Sequence, residues 1–382
     1  MANNNDNKVL NVPPLRFPEF SGEWKMCTIG ELITKVGSGV TPRGGEAVYK
    51  TEGHPFVRSQ NVGLGNLLLD DIAFIDEETH LRQKNTELQF NDVLLNITGA
   101  SIGRSALVDK QIVGGNVNQH VCIIRTKENL VPSFICSFLL SNYGQRQIDS
   151  FQAGGNRQGL NFEQIKSIKI TIPSKDEQIK IAKLLRAIDE RIATQNKIID
   201  KLQSLIKGIA QNVARNNKPN IRLSECLECS SSTLQESDVC KNGTYPVYGA
   251  NGIVGYLDNY NTEKEVVYII KDGSGVGTVS YVTGKCSATG TLNTLQAKEG
   301  YSLQYLYYML KVFNFEPYKT GMAIPHIYFK DYGKAKIFCP SYTEQLKYAR
   351  LLSAIDNKLS AEQSILTDLS LQKQYLLRQM FI

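Results

Sequence analysis

One stretch of this chain occurs twice and decides the fold. The first copy reads Pro173-Ser-Lys-Asp-Glu-Gln-Ile-Lys-Ile-Ala-Lys-Leu-Leu-Arg-Ala-Ile-Asp189, and the second reads Pro340-Ser-Tyr-Thr-Glu-Gln-Leu-Lys-Tyr-Ala-Arg-Leu-Leu-Ser-Ala-Ile-Asp356. The two copies lie 167 residues apart and align without a gap. Such a match at one fixed offset indicates a duplicated structural unit.

Apolar residues continue beyond each copy at alternating steps of three and four, which is the a/d spacing of a coiled coil. We therefore predict two long helices, each beginning after a proline. Since a striped helix needs a partner to bury its stripe, we expect the two to form an antiparallel intramolecular coiled coil. That arrangement would place the remaining blocks at opposite ends, whereas a parallel pair would place them at the same end. The predicted seam residues are Leu185, Ile188, Ile192, Ile199, Leu202, Ile209, Leu352, Ile355, Leu359, Leu366, Leu369 and Leu376.

Three seam positions are polar, at Gln195, Glu362 and Lys373. Polar seam residues lower stability and fix the register of a helix pair. Exposure at the edge of the seam is the alternative interpretation.

The two blocks outside the helices both read as mixed α/β. In each, a β-rich run is followed by a glycine-rich turn and a second β-rich run, at 92–108 and at 266–282. An apolar helix is expected later in each block, over 134–143 and over 303–312. The fold class is thus a pair of α/β (mixed α+β) globular domains with pseudo-twofold symmetry. The predicted boundaries are an N-terminal segment 1–20, a first domain 21–175, a first helix 176–215, a second domain 216–342 and a second helix 343–382.

Composition excludes several classes of protein. The 382 residues include 42% hydrophobic residues and carry a net charge of +6, which suits a nucleic-acid partner without requiring one. No apolar run is long enough to span a membrane, and the N-terminus lacks the features of a signal peptide. Eight scattered cysteines are typical of reduced thiols, so we expect a cytoplasmic protein.

Signatures of catalysis are weak or missing. Gly273–Gly277 is better explained as a tight turn than as a dinucleotide-binding loop, and there is no phosphate-binding P-loop. Asn11-Val-Pro-Pro14 has only a superficial likeness to a methyltransferase motif. Cys226, Cys229 and Cys240 lack a fourth zinc ligand at ordinary spacing, so buried thiols are the alternative. No histidine has a nucleophile at motif spacing. We predict no catalytic residue, metal or cofactor in this chain.

What remains is a role in recognition. Arg, Asn and Gln side chains read base edges, while Lys suits phosphates. For each candidate, a solvated surface role or a local hydrogen bond is the alternative. The candidates cluster at glycine loops and strand ends and are Arg43, Arg58, Gln60, Asn61, Arg104, Asn118, Gln119, His120, Arg157, Gln158, Asn251, Lys271, Thr291, Asn293, His326 and Lys330.

The whole arrangement resembles the DNA specificity subunit of type I restriction-modification systems. No single motif is specific to this family, but the order of the motifs together with the helix repeat is highly specific to it. The motifs are Leu15-Arg-Phe-Pro-Glu-Phe20, Gly22-Glu-Trp24, Ile29-Gly-Glu-Leu32, Pro55-Phe-Val57, Gly99-Ala-Ser-Ile-Gly103, Asn118-Gln-His120, Ile172-Pro-Ser174, Tyr245-Pro-Val-Tyr248, Gly249-Ala-Asn251-Gly252, Gly273–Gly277, Cys339-Pro-Ser341 and the two Glu-Gln pairs at 177 and 344.

The resemblance implies two target recognition domains, each reading one half of a split DNA site, with the helices as a spacer. It also implies two methyltransferase subunits and restriction (translocase-nuclease) subunits as partners. S-adenosylmethionine, ATP and Mg would be held by those partners. We expect half-site centres about one DNA turn apart. No block is strongly basic, so tight DNA binding should need the partners as well.

Two other functions stay open, namely a coiled-coil scaffold and a stand-alone DNA-modifying enzyme. The second domain lacks a sequence counterpart of Arg58 and of the Asn118-Gln-His120 run. Residue roles there are therefore less directly implied by the resemblance.

Overall fold

The structure is a computed structural model that describes residues 11–152, 159–321 and 324–382. These residues form two compact units. Unit 1 runs to Gln195 and includes Ile365–Ile382, and unit 2 is Asn196–Ser364. Each unit therefore contains one globular domain together with part of each long helix.

Unit 1 begins with a strand, a single helical turn and a second strand, and it ends in the first long helix. Its elements are β1 (Lys25–Thr28), α1 (Ile29–Leu32), β2 (Ile33–Ser38), β3 (His54–Val57), β4 (Ala73–Ile75), α2 (Glu77–Arg82), β5 (Val93–Asn96), β6 (Ser105–Leu107), β7 (Asn116–Val117), β8 (Val121–Thr126), α3 (Pro132–Leu140), α4 (Asn142–Ser150), α5 (Phe162–Ser167), β9 (Lys169–Ile172) and α6 (Lys175–Arg215), the last of which continues into unit 2.

Unit 2 repeats this order with fewer helices. Its elements are β10 (Ile221–Arg222), α7 (Leu223–Cys226), β11 (Leu227–Ser231), β12 (Tyr245–Gly249), β13 (Gly252–Leu257), β14 (Glu265–Ile270), β15 (Val279–Thr283), β16 (Ser287–Ala288), β17 (Leu292–Ala297), α8 (Leu303–Lys311), α9 (Phe329–Tyr332), β18 (Lys336–Ile337) and α10 (Tyr342–Gln379), the last of which continues into unit 1.

The two domains have the same sheet topology. Unit 1 contains a four-stranded sheet of order β2-β8-β5-β6 and a three-stranded sheet of order β4-β3-β7. Unit 2 contains β11-β17-β14-β15 and β13-β12-β16 in the same roles, and a two-stranded pair closes each domain next to its long helix. The predicted strand, glycine turn and strand form antiparallel pairs in both domains, β5 with β6 and β14 with β15. The duplicated mixed α/β fold is confirmed.

Side chains that alternate between the two faces of a strand explain why unit 1 has two hydrophobic cores, one on each face of its four-stranded sheet. Val93 and Leu95 of β5 pack in the core that includes α3 and both long helices, whereas Leu94 packs in a second core on the opposite face of the sheet. Because both faces are covered, β5 reads as a continuous apolar run. A buried central strand of this kind leaves only its ends, and the loops after them, for contact with a ligand.

The predicted helices are present and long. Helix α6 has 41 residues, about 60 Å at 1.5 Å per residue, and α10 has 38. In unit 1, Leu376 and Phe381 near the end of α10 share a core with Ile181 and Leu185 near the start of α6, so the helices run antiparallel there. All twelve predicted seam residues are buried or half-buried. The polar seam residue Lys373 lies 2.5 Å from Asp189 Oδ1.

One local expectation was wrong. The sequence favoured one apolar helix over 134–143, but α3 ends at Leu140. The Ser141 hydroxyl accepts a hydrogen bond from the Gly144 amide and so caps a separate helix, α4. Serine competes with the helical backbone for such bonds, which is why the helix stops there.

Candidate nucleic-acid interface

Several loops of unit 1 meet at the ends of its central strands. The Thr41 amide donates to Gln119 Oε1 at 2.9 Å, and the Ile97 amide donates to the His120 carbonyl at 3.0 Å. Buried Asn96 donates to the Ser59 carbonyl at 2.8 Å and to Ser101 Oγ at 3.1 Å. We call these loops, residues 39–44, 58–61, 97–104 and 118–120, the first loop cluster.

Glycines make this convergence possible. A Cβ on Gly39 would lie 1.7 Å from the Val117 carbonyl oxygen, so no other residue lets the 39–44 loop cross β7 so closely. Gly103 has a φ of +85° in the turn between β5 and β6. The loops of the cluster are therefore held by backbone geometry and by hydrogen bonds before any ligand is present.

Five of the predicted DNA-contacting residues present polar groups on this cluster. Arg43, Gln60, Arg104 and Gln119 are exposed, and His120 is half-buried. His120 contacts Thr98 Oγ1 through Nδ1, and its Nε2 lies 3.0 Å from Gln119 Nε2. Such a set of guanidinium, amide and imidazole groups suits base edges and phosphates.

Three other predicted residues have internal roles in unit 1. Asn61 is 1% exposed and donates to the Leu68 carbonyl at 2.9 Å, and Asn118 accepts from the His120 amide at 3.0 Å. Arg58 donates to the Asp71 carbonyl at 2.6 Å and lies 5.4 Å from the Tyr49 ring centre. In this conformation they support the loops, and their contact with DNA stays a prediction.

Unit 2 has a corresponding set of loops. The Lys271 amide donates to the Thr291 carbonyl at 3.0 Å, and Thr289 Oγ1 lies 2.8 Å from Thr291 Oγ1. The Gly290 amide donates to the Leu234 carbonyl at 2.8 Å. Asp272 forms a β-bridge with His326. We call residues 231–235, 271–278, 289–291 and 324–327 the second loop cluster.

Matching backbone bonds show which positions of the two clusters correspond. The Ile97 amide bonds to the His120 carbonyl in unit 1, as that of Lys271 does to Thr291 in unit 2. The Leu160 amide bonds to the Ile97 carbonyl, as that of Ile327 does to Lys271. The counterpart of the Asn118-Gln-His120 run is thus Thr289-Gly-Thr291. The same frame carries different side chains in the two domains.

The remaining predicted residues are distributed as follows. Asn251 is exposed in the turn between β12 and β13, and Lys330 is exposed on α9 with its ammonium 5.1 Å from the Tyr328 ring centre. Asn293 is buried and donates to the Tyr332 hydroxyl at 2.9 Å. Burial raises the pKa of Tyr332 and keeps that phenol neutral. Arg157 and Gln158 lie outside the described residues.

Sequence reasoning missed Thr41, Thr98 and Thr289, which belong to these clusters. Threonine is common in ordinary strands, so its presence carried no signal for a site. Pairing of strands distant in sequence brings the Thr41 and Thr98 hydroxyls beside Gln119 and His120. The Thr289 hydroxyl bonds to that of Thr291, two residues along the chain.

A family model described as the type I restriction modification DNA specificity domain matches residues 21–204 and again 219–370. The chain belongs to this family. The two matches cover both domains and most of both long helices, in agreement with the duplication read from the sequence.

Proteins similar in sequence to this chain are named as type I specificity subunits. A putative type I specificity subunit of Mycoplasma genitalium is 25% identical over a 320-residue alignment that covers 76% of this chain and 81% of that protein. The EcoKI specificity subunit of Escherichia coli K12 is 22% identical over 50% of this chain and 41% of its own length.

Solved structures share the fold. A crystal structure of the S subunit of a type I restriction-modification system from M. genitalium has a TM-score of 0.67 at 19% identity and covers 97% of this chain and 99% of that one. A structure from work on assembly and conformational transition of the type I system has a TM-score of 0.54 at 16% identity, over 95% and 98%.

Among residues 11–152, 159–321 and 324–382, no three His, Cys, Asp or Glu side chains lie together as a metal site would require. Over the same residues, every helix is too short or too polar to cross a membrane.

Proposed function

We propose that each loop cluster reads one part of a two-part DNA target. The polar groups that the first cluster presents, on Arg43, Gln60, Arg104, Gln119 and half-buried His120, would contact one part. Lys271, Thr291 and His326 of the second cluster, with Asn251 and Lys330 nearby, would contact the other. Arginine, glutamine and asparagine suit base edges, and lysine suits phosphates.

The observation that carries this proposal is a difference at equivalent positions. Ile97 and His120 of unit 1 correspond to Lys271 and Thr291 of unit 2 within one hydrogen-bonding frame. Two frames of identical topology place loops in the same way, while different side chains on them select different bases. A protein that read the same sequence twice would need the same groups at both places.

The long helices are proposed to set the distance between the two parts of the target. A rigid element between two DNA-reading surfaces fixes their separation geometrically, as dimer spacing does in other DNA readers. A helix of 41 residues with a buried seam is stiff enough for that purpose. We expect the parts to lie about one DNA turn apart, centre to centre.

Catalysis is proposed to belong to other subunits. In this proposal two methyltransferase subunits bind the chain in the cytoplasm, and restriction (translocase-nuclease) subunits join through them. S-adenosylmethionine, ATP and Mg would act on those partners. The net charge of +6 is small for a DNA-binding chain of 382 residues, so closure of the partners around the duplex would supply further phosphate contacts.

Sequencing of methylated adenines tests the proposal. A host carrying the partner subunits is compared with and without this chain. We expect a two-part methylated motif that appears only with the chain. Methylation that is unchanged by the chain would favour a coiled-coil scaffold, and methylation by the purified chain alone would favour a stand-alone enzyme.

A further inference from the structure

The start of the first long helix is covered by the N-terminal segment of the chain. Arg16 Nε lies 2.7 Å from Glu177 Oε1 and Arg16 Nη2 lies 2.8 Å from Oε2, a bidentate pair on a carboxylate that is almost fully buried. The Lys180 ammonium contacts Glu19 and lies 4.6 Å from the Phe17 ring centre. Leu184 packs against the same core as Phe17.

The second long helix carries the same three side chains 167 residues later, as Glu344, Lys347 and Leu351. Here they face solvent. Glu344 and Lys347 are exposed, and Leu351 is 50% exposed. The Glu344 carboxylate accepts a hydrogen bond from the Ser341 hydroxyl at 2.8 Å, whereas in the first copy the equivalent acid binds arginine.

The sequence explains why one copy is covered and the other is not. Strand β1 is preceded by the segment Leu15-Arg-Phe-Pro-Glu-Phe20, while β10 is preceded by Asn216-Asn-Lys-Pro-Asn220. The second connector contains neither arginine nor an aromatic residue, and its Asn220 instead exchanges two hydrogen bonds with the Cys339 backbone. Unit 2 therefore retains the acceptor surface but lacks the segment that covers it in unit 1.

We propose that Glu344, Lys347 and Leu351 form a docking surface for a segment of another polypeptide. The segment carries an arginine that is followed within four residues by aromatic side chains. The arginine of the segment would form an ion pair with the Glu344 carboxylate. Its aromatic rings would cover Leu351, and the Lys347 ammonium would lie against one of those rings. A bidentate arginine and carboxylate pair is both strong and geometrically selective.

The occupant is a different protein rather than a second copy of this chain. Each copy of the chain has two such surfaces, at Glu177 and at Glu344, but contains the Arg-Phe-Pro-Glu-Phe motif once. That single motif already covers the surface at Glu177. A segment exchanged between copies would leave its own Glu177 without its arginine. Removing one member of a buried charge pair is costly, so exchange gains nothing.

A peptide titration of the full chain tests this inference, and since it contains no DNA, its result is independent of the reading function proposed above. The probe is a fluorescent peptide with the sequence of residues 12–24, followed by anisotropy up to several millimolar. We expect saturable binding that weakens at least about tenfold, one charge-assisted pair, when the peptide arginine becomes alanine.

The matched chain variants locate that binding. Glu344→Ala/Leu351→Ser should weaken it by the same factor, while Asp368→Ala/Leu371→Ser, an exposed pair elsewhere on the same helix, should leave it unchanged. No saturable binding would overturn the inference, as would binding that the Glu344→Ala/Leu351→Ser chain retains in full.

Discussion

Gln178 and Gln345 occupy the same place in their two units. Each is 1% exposed, and each accepts a hydrogen bond of 2.9 Å from the backbone amide just before a helix, that of Val131 for Gln178 and that of Ser302 for Gln345. Each also donates to the carbonyl of the proline five residues before it. The repeated glutamine thus joins the first turn of each long helix to its globular domain.

Substitution of that glutamine should destabilise its unit. Gln345→Leu leaves the buried Ser302 amide and the Pro340 carbonyl without this partner, so we expect the free energy of unfolding to fall by about 2 kcal/mol. Urea unfolding followed by circular dichroism measures the change. Gln372→Leu, at an exposed position of the same helix, should stay within about 0.5 kcal/mol of the wild type. Equal effects of the two variants would contradict the assigned role.

The ion pair between Lys373 and Asp189 should be energetically coupled. The Lys373 ammonium also donates to the Leu64 carbonyl at 3.0 Å, so it joins both long helices to a loop of the first domain. We expect a double-mutant cycle of Lys373→Met and Asp189→Asn to give a coupling free energy of about 1 kcal/mol. Additive effects of the two substitutions would show that the pair contributes nothing. Ile206 of the first long helix is the repeat equivalent of Lys373. Ile206→Leu changes this equivalent position without altering any charge and therefore serves as the control.

Alkaline pH should weaken the fold through buried thiols. Burial raises the pKa of Cys122 and of Cys226 from about 9 to about 12. Above pH 9 the unfolded chain loses these protons while the folded chain keeps them. The stabilisation is therefore complete below pH 9 and is lost between pH 9 and 12, by about 1.4 kcal/mol per pH unit for each thiol.

Urea midpoints at pH 8 and at pH 11 measure this loss. Cys122→Ala removes one of the thiols, so the difference between its two midpoints should be smaller than in the wild type. An identical difference in both chains would mean that the thiol does not contribute.

Shortening both long helices should change the spacing of the DNA target but not its bases. Removing seven residues from each helix at positions 167 apart keeps the a/d seam in phase and shortens each helix by about 10 Å. That length corresponds to about three base pairs. We expect methylated motifs with the same two parts and a shorter gap. An unchanged gap, or new bases in either part, would contradict the role of the helices as a spacer.

The sequence predicted the helices well because their signal is local and repeated. The similar stretches that begin at Pro173 and Pro340 and the spacing from Leu185 onward both appear in the linear chain, and each long helix begins within two residues of its proline. The corresponding strands β5 and β14 of the two domains were also identifiable, since each is a short apolar run followed by glycines.

The correspondence between the two loop clusters could not be predicted from the sequence. His120 and Thr291 have chemically different side chains, so the sequence does not show that they hold equivalent positions in the two domains. Only the matching strand order shows it. The interior positions of Asn61 and Asn293 likewise depend on contacts with Leu68 and Tyr332, which lie elsewhere in the sequence. Polar residues near glycines were therefore found as a group, but their exposure could not be assigned individually.

Methylome sequencing of two cluster variants tests the central claim most directly. Arg104→Ala/Gln119→Ala alters the first loop cluster, and Lys271→Ala/Thr291→Ala alters the second. We predict that each variant relaxes or abolishes recognition of one part of the methylated motif and leaves the other part and the gap unchanged. The account would be contradicted if either variant altered both parts equally, or if both variants methylated the wild-type motif at the wild-type level.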